Sequence, residues 1–288
     1  MNNALSWLFE KKVKENNGLK DRALAEILQS ITLLGLSRSD FFDKAAFYGG
    51  TALRILHRLD RFSEDLDFSL LAPDPGFSLH DYFSFIDAEM KSFGLQSEIS
   101  QKTKSVASST ESAFIKATTV TQLLTITSDS SAIVGIHSTA ITKVKFEIDI
   151  DPPPGAGTIV GYVEDPVPFT VRSYDLPSLF AGKMHAILAR AWGNRVKGRD
   201  WYDFAFYIRN DIPLQLSHLE ARLRQTGHYL DVVALAPDCF MDMMNARIAG
   251  IDFKAAKLDV ERFVARPQDL AVWSADYFLH LAARLKFA

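Results

Sequence analysis

The sequence predicts an α/β half followed by a helical half, with the change of character near residue 175. Three observations lead there. Asp65–Leu70 and Val144–Asp151 alternate apolar and polar residues with the period of a strand. Helical spacing at 21–36 and 51–59 is interleaved with that strand pattern. After Tyr174 only helical spacing recurs. The cut gives two expected domains, 1–175 and 176–288.

In chain order, Asp21–Leu36 places Leu24, Ile27, Leu28, Ile31 and Leu34 three and four residues apart, as a helix with one apolar stripe does. A short apolar run ends at Tyr48 and meets Gly49-Gly50; Thr51–Leu59 then returns to helical spacing. From Asp65 to Leu70, Leu66, Phe68 and Leu70 fall on one face and Asp65, Asp67 and Ser69 on the other. Leu79–Phe93 reads as a helix stopped at Gly94. Leu95–Asp151 favours β-structure, most clearly where Val144, Phe146, Ile148 and Ile150 alternate with Lys145, Glu147, Asp149 and Asp151. Pro152-Pro153-Pro154-Gly155 ends that strand, because proline cannot donate to a ladder. Leu176–Trp192, Asp200–Ile208 and Leu214–Leu223 carry apolar residues at helical spacing, as do segments near 239–248 and 270–285.

Bulk properties narrow the class. With 288 residues, 48% hydrophobic and 23% charged, the chain has the composition of a globular protein with one large or two modest cores. A net charge of -3 excludes a uniformly basic nucleic-acid coat but leaves room for a local basic cleft. Cys239 is the only cysteine, which excludes an intrachain disulfide and a Cys-rich zinc site and points to a reducing cytoplasm. The opening residues, MNNALSWLFEKKVKEN, lack the basic-then-apolar order of a secretory signal, and the charge-poor stretch 117–142 is too rich in Ser and Thr to span a bilayer. A soluble cytoplasmic protein with no membrane partner is expected. No internal repeat is visible.

The chemistry concentrates in FYGGTALRILHRLDRFSEDLDFSL, residues 47–70. It reads as strand, glycine turn, helix, loop, and a strand with two outward carboxylates. Glycines at a strand-to-helix junction let backbone N–H groups approach a phosphate, and the helix N-terminus adds partial positive charge. Asp65 and Asp67 sit about 7 Å apart along their strand, close enough to share one cation or flank two. Magnesium favours a few carboxylates with waters and phosphates, and two-metal sites clamp the oxygens of an in-line displacement. Neither piece is specific by itself. Chance gives about four acidic pairs at i, i+2 in a chain of this acidity, and a Gly-Gly turn before a helix is common. Their order and spacing make them informative together.

The run GGTALR at 49–54, followed by Asp65-Leu66-Asp67-Phe68, resembles the first motif of the AbiEii/AbiGii nucleotidyltransferase-like toxins of the DNA polymerase β-type superfamily. The likeness continues in Lys145-Phe146-Glu147-Ile148, in Lys183, and in Arg199-Asp200 and Tyr202-Asp203, and covers roughly residues 40–215. It implies an α/β (α+β) nucleotidyltransferase core with a mixed sheet, followed by a helical C-terminal domain. It implies a magnesium or manganese ion on Asp65 and Asp67, with a third carboxylate from Glu147 or Asp149. Glu147 is preferred for its longer reach and its Lys-x-acid pattern with Lys145. Gly49, Gly50 and Thr51 would contact a nucleoside triphosphate, Lys183 would neutralise phosphate charge, and Asp200 with Asp203 would complete the pocket. Thr51 stands where many superfamily members have Ser, and keeps the hydroxyl. Two partner classes follow: an acceptor that is RNA, such as a tRNA 3′ end, or a protein hydroxyl, and a separately encoded antitoxin. The system would be a toxin–antitoxin or abortive-infection system.

Other signals read more blandly. Lys183 in LPSLFAGKMHAILARAW is either a snorkelling surface lysine or a phosphate ligand; the residues alone favour the first and the resemblance favours the second. Arg195, Lys197 and Arg199 form a basic cluster that is either a solvated loop or a contact for RNA. The histidines at 57, 80, 137, 185, 218, 228 and 280 lack metal-ligand spacing, and Ser128–Ser131 reads as a turn. Two rival functions stand beside this one. A non-catalytic nucleotide-binding module has no physical reason to keep Asp65, Asp67, Glu147, Lys183 and Asp200 together. A phosphohydrolase or glycosyltransferase using Asp-x-Asp is the other; the phosphatase form follows its second Asp with a small residue, where Phe68 stands here.

Overall fold

The structure, a computed structural model, describes residues 3–102, 121–129, 141–190 and 196–288. Its frame is a seven-stranded sheet. In chain order the strands are β1 (Ala45–Tyr48), β2 (Asp65–Leu70), β3 (Gln96–Lys102), β4 (Thr121–Asp129), β5 (Ile141–Asp149), β6 (Thr158–Val163) and β7 (Phe169–Tyr174). Across the sheet they run β3-β4-β5-β2-β1-β7-β6. β2 is parallel to β5 and β1 parallel to β7, while the remaining neighbours are antiparallel, so the sheet is mixed as expected.

The alternation in β2 does two jobs. Leu66, Phe68 and Leu70 enter the core, where the Phe68 ring stacks on Phe47 and Phe146 with centroids 5.2 and 4.5 Å apart. The period of two then obliges Asp65 and Asp67 to face the other way. Against β5 the register pairs Asp65 with Lys145, Asp67 with Glu147 and Ser69 with Asp149.

Helix α2 (Lys20–Ser37) is buried from Ala23 to Leu36, all round rather than along one stripe. Its Gly35 has no room for a side chain, because a Cβ would stand 2.8 Å from the Ile86 Cα of α5 (Phe83–Ser92). From this helix Gln29 donates to the carbonyls of Ser63 and Glu64 (2.9 and 3.0 Å) and so fixes the approach to β2. The short α3 (Phe41–Lys44) leads into β1, and α4 (Gly49–His57) follows β1 directly. The helical half begins where the Asp175 carboxylate caps α6 (Leu176–Ala189) by accepting from the Ser178 N–H at 2.9 Å. It continues through α7 (Gly198–Arg209), α8 (Leu216–Gln225), α9 (Pro237–Ala249), α10 (Phe253–Glu261) and α11 (Ala275–Ala282). The apolar core is continuous from Leu5 to Ala282, across position 175.

Several elements differ from the sequence reading. β6 and β7 are strands that the patterning did not reveal, as are the helices α1 (Asn3–Glu15) and α10. The segment 79–93 divides into a 3-10 turn at Leu79–Tyr82 and α5. The segment 270–285 reduces to α11, preceded by a 3-10 turn at Pro267–Leu270. Ser128 and Asp129 close β4 rather than form a turn. Ser130, Ser131, His137, Ala191, Trp192 and Arg195 lie outside the described residues. Among the described residues no helix is long and apolar enough to cross a membrane.

Candidate active site

A cleft of about 320 Å³ opens where the polar face of β2 and β5 meets α6, α7 and α8. Its sheet wall carries Asp67 and Glu147, adjacent across the parallel β2–β5 pair, with Asp65 one pleat away on β2. Neither Asp67 nor Glu147 has an ion-pair partner among the described residues. Burial, then the charges of Glu147 and Asp65, push the Asp67 carboxyl up to about 7. Asp65 is also raised, by burial, against the pull of Lys145.

The glycine turn lies against these carboxylates. Gly49 has φ +82°, a left-handed conformation, and a Cβ there would collide with the Asp67 carboxylate. Only glycine brings the backbone so close. Tyr48 at the N-cap offers no side-chain cap to α4, so the N–H groups of its first turn stay open toward the cleft. Thr51 does not join them. It is fully buried, and its hydroxyl donates to the Asp65 carbonyl, locking the helix onto β2 rather than facing a phosphate.

The opposite wall is basic but internally neutralised. Lys183 of α6 is bound by Asp200 at 2.7 Å and by Asp203 at 2.8 Å. Burial pulls its ammonium down, and the two carboxylates more than offset that, leaving it raised. Arg190 also binds Asp200. For Asp200, burial pushes upward and is outweighed by Lys183 and Arg190, so its carboxyl titrates below the ordinary value. Asp203 is fully buried, held by both nitrogens of the Arg61 fork at 2.6 Å each, and does not line the cleft. It lies behind Lys183, away from the position at which a nucleotide contact was expected.

Asp149 is distinguished from Glu147 by its partners. It is 4% exposed, ion-paired to Arg222 of α8, and accepts the Asp151 N–H at 3.0 Å. Glu147 stays half-buried and unpaired beside Asp67. In the far end of the cleft His185 is held neutral, its pKa lowered to about 3 first by burial and then by Arg222, and it sits 2.9 Å from the Thr226 hydroxyl. Of the basic cluster, Arg199 is engaged with Glu64 at 3.0 Å and lies over the Phe263 ring. Lys197 is half-buried at the start of α7, its pKa lowered by burial and then by Arg190. Arg61, Arg190 and Arg222 were not singled out from the sequence, where nothing separates them from the other arginines.

The metal assignment meets a mixed test. Three carboxylates provide the hard oxygen donors that a divalent cation prefers, and the Gly49 cradle keeps one of them uncovered. Among the described residues, however, no three His, Cys, Asp or Glu side chains already converge as a metal-binding group. The period of β2 and its register with β5 hold Asp65, Asp67 and Glu147 on one face of the sheet.

Residues 31–280 match the model of a protein family described as nucleotidyl transferase AbiEii toxin, type IV TA system. The chain belongs to this family. The match reaches well past the 40–215 stretch in which the motifs are legible. As an AbiEii member the chain is a nucleotidyltransferase, of a toxin–antitoxin family whose type implies an antitoxin partner and a nucleoside triphosphate substrate. JHP933 from Helicobacter pylori shares the fold at 16% identity and a TM-score of 0.51, over 91% of this chain and 89% of that one. A candidate nucleotidyltransferase from H. pylori aligns over 90% of this chain and 92% of its own, at 16% identity and a TM-score of 0.46. A search of curated proteins gave no match.

Proposed function

We propose that this AbiEii chain moves a nucleoside monophosphate from a nucleoside triphosphate to an acceptor hydroxyl, using a divalent cation held by Asp65, Asp67 and Glu147. The carrying observation is the polarity of one cleft. Unpaired carboxylates and an open helix N-terminus line one wall, and Lys183 and Arg190 line the other. In the reaction the acceptor hydroxyl gives its proton to solvent, its oxygen bonds to the α-phosphorus, and the bond from that phosphorus to the pyrophosphate oxygen breaks. Magnesium or manganese, when bound, supplies Lewis-acid neutralisation at these oxygens.

The chain's own groups divide the remaining work. Gly49 and Gly50 offer backbone N–H groups to the triphosphate, aided by the α4 dipole. Lys183 has three N–H donors and spends two on Asp200 and Asp203, which leaves one for a phosphate oxygen. Asp200 orients Lys183 rather than binding the cation. The division at 175 is then functional: residues 1–175 carry the carboxylates and residues 176–288 the cationic wall. The acceptor is RNA, such as a tRNA 3′ end, or a protein hydroxyl, and Lys197 and Arg199, whose charges reach Asp65, would meet it. We assign the protein to the cytoplasm, paired with a separately encoded antitoxin.

Incubating the protein with each labelled triphosphate, magnesium, and either total RNA or total protein tests this. Acceptor-dependent pyrophosphate release with label transferred to one fraction is expected. Triphosphate binding with no acceptor-dependent release would make the cleft a binding site alone and sink the proposal.

A further inference from the structure

We infer that Arg61 is a positioning residue of the transfer reaction, holding Lys183 through Asp203 while flooring the Gly49-Gly50 turn. The inference rests on the reading of that turn and of Lys183 as triphosphate ligands. Arg61 lies in the segment between α4 and β2 and is 3% exposed. Its Nε and Nη2 each reach one oxygen of Asp203 at 2.6 Å, and Nη1 donates to the Phe62 carbonyl at 3.0 Å. A planar guanidinium bound at both ends of its fork has no freedom to rotate. The same Nη2 would lie 2.5 Å from a Cβ at Gly50, with the Ser63 hydroxyl at 3.0 Å, so the arginine packs directly against the turn.

On its other side the fork meets Lys183, because Asp203 Oδ2 serves both the Arg61 Nη2 and the Lys183 Nζ. Gly50, Arg61, Asp203 and Lys183 thus form one line of direct contacts from the sheet half to the helical half. The backbone of the segment is tied down as well. Phe62 N–H donates to the Phe263 carbonyl at 2.8 Å, and the Tyr202 hydroxyl to the Asp60 carbonyl at 2.9 Å. A displacement of Arg61 therefore moves the glycine turn and Lys183 together. Stability does not by itself require such a pair, since a buried ion pair can be replaced by apolar side chains of similar volume at little or no cost. Fixing two phosphate-side groups in one geometry does require it.

The test compares wild type with Arg61→Lys, which keeps the charge and loses the fork, and with Arg61→Met combined with Asp203→Leu, which removes the pair without stranding a charge. Melting temperature, turnover at saturating triphosphate, magnesium midpoint, and the rate at which acetic anhydride modifies Lys183 are measured, the last by mass spectrometry. The double variant is expected to melt close to wild type, to lose at least ~10-fold in turnover with its magnesium midpoint unchanged, and to expose Lys183 to several-fold faster modification. Arg61→Lys should fall between the two in both turnover and modification. Wild-type turnover in a folded double variant, or an unchanged Lys183 modification rate, overturns the inference. Should the wild-type protein transfer nothing, it is the reading of the cleft that fails, and the modification rate alone still decides whether Arg61 holds Lys183.

Discussion

Asp67 and Asp200 line the same cleft and are driven to opposite ends of the carboxylate range. Burial pushes both upward. Asp67 sits with Glu147 and Asp65 and reaches about 7, whereas Asp200 sits with Lys183 and Arg190 and falls below its ordinary value. The difference lies in the partners, not the depth. On the helical wall each acid is matched by a cation of the chain, so the charge is structural. On the sheet wall Asp67 and Glu147 have no matching cation among the described residues, so holding these acids together costs free energy that a proton or an added cation would lower.

That contrast breaks first at Asp67. Asp67→Asn should reduce transfer by at least ~10³-fold while leaving the melting temperature unchanged or higher, since a destabilising charge is removed along with a ligand. An active, folded Asp67→Asn protein would show that the sheet wall is not where the cation binds. The reverse pattern is expected on the helical wall. Asp203→Asn strands the Arg61 fork and one contact of Lys183, so denaturant titration should reveal a loss of about 3–5 kcal/mol; a loss under 1 kcal/mol would mean the acids of the two walls are not different in kind.

Acidity sharpens the comparison next. The folded protein holds the Asp67 proton more tightly than the unfolded chain, whose carboxyl titrates near 3.8. Stability in the presence of EDTA should therefore fall as pH climbs from about 4 to 7, by a few kcal/mol at most. Magnesium must displace the same proton, so its affinity should rise between about pH 6 and 8, and Asp67→Asn should flatten both profiles. A melting temperature that is constant across this range would remove the electrostatic account of the sheet wall. The smallest effect separates Glu147 from Asp149. Glu147→Gln should lower turnover at saturating triphosphate with little change in nucleotide affinity. Asp149→Asn should leave most turnover and cost about 1–2 kcal/mol of stability, because it weakens the bond to Arg222. An inactive Asp149→Asn beside an active Glu147→Gln reverses the assignment.

What the sequence made legible was whatever is encoded by neighbours. Asp65–Leu70 and Val144–Asp149 announce themselves because their period of two is unbroken, and the glycine turn because its conformation needs glycine. β6 was silent since three of its first residues, Thr158 to Val160, are all exposed, which erases alternation at a sheet edge. β7 was blurred by Ser173, a fully buried polar residue that reads as outward until its hydroxyl is seen donating to the Phe47 carbonyl at 2.8 Å. The state of the acids was not legible at all. Asp203 finds Arg61 142 positions away, and Asp149 finds Arg222 across 73, so which carboxylates stay uncompensated is a property of the folded chain alone. For the same reason Thr51 looked available when its hydroxyl is spent on β2.

Two of the buried ion pairs that join the sheet half to the helical half have opposite polarity. On one side an arginine from the sheet half, Arg61, meets an aspartate from the helical half, and on the other an aspartate from the sheet half, Asp149, meets an arginine of α8. During folding this works as a lock with two different teeth. If the helices settled the wrong way round, Arg61 would meet Arg222 and Asp149 would meet Asp203, two repulsions in place of two attractions, in surroundings where neither could be shed to water. Fidelity of assembly is thus written into the borders of the cleft.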